Sequence, residues 1–163
     1  MVPFQRAALV LCTALLLGAA GPVKSTPSSP VTLQSNSGTK IDATARTLSA
    51  DDLGAARSRG EQPLVLTARA KLGGVQPALF VQLQSKQECG SAGCSTSIYS
   101  FERGRWQRVL DSATGLLKVS AKKTRGRNDI ISDADHFVWS GTGYTSLDPA
   151  PAGIDLRPRP RRR

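Results

Sequence analysis

The chain is poor in the residues from which most active sites are built. Its 163 residues include one His, three Cys, one Met and only 5% aromatics. A single imidazole and three thiols leave little material for a metal cage or for His-based catalysis. Gly-x-Ser-x-Gly, the Walker phosphate loop and His-Glu-x-x-His are all absent, which removes the hydrolase, nucleotide-binding and zinc-protease readings those motifs carry. No apolar run reaches the roughly 20 residues that a membrane-spanning helix needs. Negative charge is scarce as well: 12 acidic residues stand against 22 basic ones, a formal net charge of +10. That excess points to an anionic partner without naming it. The length suits one domain, and a 39% hydrophobic fraction is too high for a wholly disordered chain.

What is present begins with a targeting pattern. Arg6 precedes an apolar stretch from Ala7 to Ala20 that closes on Gly18-Ala19-Ala20. A basic start, a short apolar core and a small-residue exit make a secretory signal. Residues 1–20 are therefore read as a signal peptide cleaved after Ala20, with a site near Ser25 as second choice. Cys12 follows the bulky Leu9-Val10-Leu11 and lies too early in the run to be a lipidated cysteine. Processing through Ser25 leaves 20 basic and 12 acidic residues and two cysteines, Cys89 and Cys94. An even cysteine count in an exported chain predicts a disulfide.

Residues 21–40 read as a flexible linker, because Thr26 to Thr39 is rich in Ser, Thr and Pro and has no period. The folded unit is expected over 41–147. Ser49 to Arg57 reads as a short helix, with Ser49 as its cap, Asp51 and Asp52 at its positive end and Arg57 at its negative end. From Leu64 the texture is β. Leu64–Arg69 and Ala78–Gln84 are separated by turn residues, and Leu79, Val81 and Leu83 alternate as in a half-buried strand. Thr96–Glu102 and Trp106–Leu110 flank Arg103-Gly104-Arg105, a hairpin signal. Leu116–Ser120, Asp129–Ser132, Phe137–Trp139 and Tyr144–Leu147 follow, the last two across the Ser140–Gly143 reversal. The fold class is mainly β: an antiparallel sheet or small sandwich of seven or eight short strands with one short N-terminal helix. Residues 148–163 run through Pro149-Ala-Pro-Ala-Gly153 to an Arg/Pro-rich end and read as a disordered tail carrying Arg157, Arg159, Arg161, Arg162 and Arg163.

Cys89-Gly-Ser-Ala-Gly-Cys94, the following Ser97–Glu102 segment, Trp106–Leu110, Asn128-Asp129-Ile130 and Phe137–Gly141 together resemble a group of small exported bacterial proteins. These share a Cys-Gly-x-x-Gly-Cys loop and a hairpin with a Trp after its turn. The resemblance spans Glu61 to Leu147 and implies export to the periplasm or cell envelope with a β-rich fold. Such relatives carry a calcium loop like that of FG-GAP repeats before the second strand. The matching stretch here, Lys71 to Pro77, has no carboxylate, so that chemistry is not expected.

The candidate chemistry is then limited. Cys89 and Cys94 are read as a structural staple, the alternative being a redox pair. Asp133, Asp135 and His136 are the one cluster of titratable groups, either turn-formers or a small hydrolytic or metal set. Tyr99, Phe101, Trp106, Phe137, Trp139 and Tyr144 fall in strands, for core packing or for stacking on sugars or bases. The basic residues Arg103, Arg105, Arg108, Lys118, Lys122, Lys123, Arg125 and Arg127, with the Arg tail, are candidate anion contacts. The leading expectation is a non-enzymatic envelope module, without cofactor or metal, that binds an anionic envelope component or an acidic protein. Nucleic acid fits the charge but not the export. A sharper variant is an inhibitor of an envelope-directed hydrolase such as lysozyme. The rival is a small enzyme, hydrolytic through Asp133, Asp135 and His136 or redox-active through Cys89 and Cys94.

Overall fold

A computed structural model describes residues 26–133 and 135–147. The expected signal segment, Ala134 and the Arg tail lie outside the described residues. In chain order the first elements are β1 (Ser28–Pro30), α1 (Lys40–Leu48), α2 (Ala50–Ser58), β2 (Leu64–Ala70) and β3 (Ala78–Gln84). A short ribbon follows, β4 (Cys89–Gly90) and β5 (Gly93–Cys94), then β6 (Thr96–Glu102) and β7 (Arg105–Ala113). The last four are β8 (Lys118–Thr124), β9 (Arg127–Ile131), β10 (His136–Trp139) and β11 (Tyr144–Ser146).

All pairings are antiparallel, and the fold is mainly β as expected. The strands form a four-stranded sheet β2-β3-β6-β7, a five-stranded sheet β1-β8-β9-β10-β11 and the β4-β5 ribbon. The strand count exceeds seven or eight because β1 and the ribbon were not legible as strands. A second helix, α1, precedes the expected one. Its start is set by Thr39, whose side-chain oxygen accepts from the Asp42 N–H at 3.2 Å. Asp42 in turn accepts from Arg46 Nε at 3.0 Å and from the Gly38 N–H at 3.3 Å. The Arg46 hydrogen bond holds the Asp42 carboxyl below its ordinary value of 3.8, against the opposing pull of burial. Ser49 both ends α1 and begins α2. Its N–H donates to Ala45 O at 3.0 Å, and its hydroxyl makes no capping bond to α2. The expected Ser49 cap is therefore not formed, and Asp51, Asp52 and Arg57 remain as the charges that complement the dipole.

Burial corrects the reading of Ala78–Gln84. Leu79, Val81 and Leu83 pack with Val65, Tyr99, Ala45 and Leu53 under the helices. Ala78 and Phe80 on the opposite face pack with Ile98, Leu110, Ile130, Phe137, Trp139 and Tyr144. The strand is buried on both sides because the helices cover Leu79, Val81 and Leu83 while the five-stranded sheet covers Phe80, on the face that alternation alone assigns to water. The result is three layers, helices on the four-stranded sheet on the five-stranded sheet.

The expected linker is corrected too. Ser28, Ser29 and Pro30 pair with Ser120, Val119 and Lys118 of β8. Four residues on, Gln34 and Thr67 of β2 exchange both backbone bonds, at 3.1 and 2.9 Å. One segment thus laces the edges of both sheets together. Pro is tolerated there because an edge strand need not donate on its outer side.

Candidate anion-binding site

Antiparallel order puts four connections at one end of the sandwich: 71–77 between β2 and β3, 103–104 between β6 and β7, 125–126 between β8 and β9, and 140–143 between β10 and β11. They touch. A Cβ on Gly73 would stand 2.6 Å from Gly126 O, so only glycine permits that approach of the two loops. Arg125 donates to the Ser140 carbonyl. The two hairpin tips share one sequence, Arg-Gly-Arg, at 103–105 and 125–127. In both, the two central residues have positive φ: Arg103 51° and Gly104 80°, Arg125 50° and Gly126 84°. This is the two-residue turn whose twist matches a hairpin. Asn and Gly are its usual occupants, and arginine there carries backbone strain.

The pairing of the arginines differs. Arg127 crosses to the other sheet, where it bonds Glu102 and the Ser100 hydroxyl and lies 4.1 Å over the Trp139 ring. Its side chain is 14% exposed, so its charge is spent as a clasp between sheets. Arg103 and Arg105 are exposed and have no ion pair among the described residues. Beside them opens a cleft of about 450 Å³ lined by Gly73, Gly74, Phe101, Glu102, Arg103 and Arg127. The connections at this end and the strand residues flanking them carry Lys71, Arg103, Arg105, Arg125 and Arg127 against the single carboxylate Glu102, which Arg127 already neutralises. At the opposite end the connections carry Glu61, Glu88, Asp133 and Asp135 against Arg59 and Lys86. The domain's excess positive charge is concentrated at one pole.

The other candidate residues fall elsewhere. Arg108 leaves the free basic set: it pairs with Asp52 at 3.2 Å and Asp111 at 3.3 Å and donates to Tyr99 Oη at 3.1 Å. Lys118, Lys122 and Lys123 lie exposed along β8, with Lys122 Nζ 3.9 Å from Asp129. The stretch read as a basic cluster is thus the solvent face and tip of a hairpin.

Asp133, Asp135 and His136 do not converge on one another. The Asp133 carboxylate accepts from the Leu116 N–H at 2.8 Å, and Asp135 accepts from the Ser146 hydroxyl at 2.9 Å. His136 Nε2 instead lies 3.1 Å from Oδ2 of Asp129, a fully buried carboxylate that composition and spacing did not single out. Among the described residues the other oxygen of Asp129 has no hydrogen-bond partner. Among the described residues no three His, Cys, Asp or Glu side chains are grouped to hold a metal.

Cys89 and Cys94 are disulfide-bonded, with Sγ atoms 2.08 Å apart, directly across the β4-β5 ribbon. The ribbon lies at the pole away from the arginine tips, on the Gly115 side. Of the aromatics, Phe137, Trp139 and Tyr144 are core. Burial pushes the Tyr144 hydroxyl up, and its O–H donates to Asn128 O at 2.8 Å. Phe101 and Trp106 are half-buried and meet edge to face at 5.3 Å. No helix among the described residues is long and apolar enough to cross a membrane. Compared with protein-family models, curated proteins and solved structures, the chain matches none, so its placement rests on its own residues.

Proposed function

We propose that this chain is an exported, non-enzymatic β module that binds a multiply anionic partner at its Arg-Gly-Arg pole. One observation carries the reading. Arg103 and Arg127 line a cleft whose single carboxylate, Glu102, is already paired with Arg127; Lys71, Arg105 and Arg125 stand at the same end of the sandwich, and Arg103 and Arg125 are held at positive φ. Backbone strain of that kind persists where the surrounding structure uses it. Guanidinium groups suit this task because their forked donors match phosphate, sulfate and carboxylate oxygens. Phe101 at the cleft wall offers an apolar surface of the sort a sugar ring packs on. The partner class is an anionic glycan of the cell envelope. Export is supported by the Cys89–Cys94 bond, which belongs to an oxidising compartment, and by the pattern of residues 1–20.

The test is retention on an immobilised sulfated glycan as salt is raised. Arg103→Gln with Arg105→Gln and Arg125→Gln is expected to elute at clearly lower salt than the parent. Arg57→Gln with Lys86→Gln and Lys118→Gln, which removes the same number of cations elsewhere, is the control. A separate variant neutralising Arg157, Arg159, Arg161, Arg162 and Arg163 measures the tail's share. Equal elution of the pole variant and the control overturns the proposal.

A further inference from the structure

The helical layer does not cover the whole outer face of the four-stranded sheet. At the start of α1 it leaves a cavity of about 180 Å³ lined by Lys40, Ile41, Thr44, Arg69, Leu79 and Trp106. The floor is apolar: Leu79 is 2% exposed, and Ile41 and Trp106 pack on the same cluster from its margin. Trp106 is fixed in place by its edge-to-face contact with Phe101, at 69° between planes.

The polar groups at this cavity are of one sign. Lys40 and Arg69 are exposed at its rim, and neither has an ion pair among the described residues. No carboxylate lines it. The nearest acid on α1, Asp42, is occupied by Arg46 and the Gly38 N–H. The Thr44 hydroxyl is committed to Lys40 O at 2.8 Å. An apolar floor under two uncompensated cations favours a ligand that is itself divided, apolar at one end and anionic at the other. The depression, about 180 Å³ and open to solvent, gives a short acyl chain or a single ring room to lie on its apolar floor.

We infer that this cavity is a second binding site, for a small amphiphilic carboxylate whose apolar body lies on Leu79, Ile41 and the Trp106 indole. Its carboxylate meets Arg69 and Lys40. The site shares no lining residue with the cleft at the arginine tips and stands whether or not that cleft binds a glycan.

The experiment is an NMR titration of the full chain with octanoate and with octan-1-ol, read at the two indole N–H signals. Octanoate is expected to shift Trp106 and leave Trp139 unmoved, because Trp139 is buried on the other side of the four-stranded sheet. Octan-1-ol should bind at least tenfold more weakly. Arg69→Gln, at an exposed position, should weaken octanoate at least tenfold and leave octan-1-ol unchanged, while Arg103→Asn leaves both unchanged. Equal affinity for acid and alcohol, an unaltered octanoate affinity in Arg69→Gln, or shifts that spare Trp106 would each overturn the inference.

Discussion

Replacing Arg103 by Asn separates stability from binding at the arginine pole. Arg103 has φ 51° at the first central position of a two-residue turn whose second residue is Gly104. The left-handed region costs an ordinary L residue roughly 1–2 kcal/mol, because Cβ crowds the following carbonyl oxygen. Asn bears less of that cost, and Asn-Gly is the preferred pair for this turn. Arg103 makes no ion pair among the described residues, so its removal forfeits little in the folded state. Arg103→Asn is expected to stabilise the protein by about 0.5–1 kcal/mol, or to raise Tm by roughly 2–6 °C. The same variant should elute from the sulfated glycan at lower salt. Arg125→Asn is the informative partner. It relieves similar strain at φ 50° but gives up the bond to Ser140 O, worth about 0.5–1.5 kcal/mol, so its stability should stay close to the parent's. Urea unfolding with retention measured on the same samples reads both quantities. A destabilised Arg103→Asn refutes the strain, and a stabilised one with unchanged retention refutes its link to binding.

Arg127→Gln should behave in the opposite way. It strands Glu102, breaks the Ser100 bond and removes the cation from the Trp139 face, for a loss of roughly 2–4 kcal/mol in urea unfolding. Gly73→Ala forces a Cβ to within 2.6 Å of Gly126 O at a φ of +92°. The expected cost is above about 2 kcal/mol, with amide shifts carried into residues 125–127. The Asp42 carboxyl, held below 3.8 in the folded state chiefly by Arg46, contributes stability that is present above its unfolded value and lost as pH falls through the folded one. Arg46→Gln should move that acid limb to higher pH, as read from unfolding free energy against pH. An unmoved limb would remove Asp42 from the account of acid sensitivity.

Much of the fold is legible in short windows of the sequence. The Arg103-Gly104 turn, the Ser140–Gly143 reversal and the strands on either side follow from alternation and turn chemistry, which are local. The Arg125-Gly126 tip carries the same signal as Arg103-Gly104, within a run of Lys and Arg whose charge masks it. Cys89 and Cys94 could pair only with each other once Cys12 was assigned to a removed segment. Ser28–Pro30 was illegible because its composition is that of a linker and its partner, β8, lies some ninety residues away in the chain.

The sequence by itself determined that the chain is mainly β, where its hairpins turn, and that its charge is basic. Tertiary structure alone decided what those charges do. Arg125 and Arg127 stand two residues apart in one turn, yet one remains at the rim while the other is spent against Glu102 of the opposite sheet. His136 meets Asp129 rather than the carboxylates beside it in sequence. Phe80 and Val81 are both buried because two layers, assembled from distant segments, cover the two faces of one strand. Periodicity reports which way a side chain points. What it meets there depends on long-range packing, and that is what sorts the arginines into clasps and free cations.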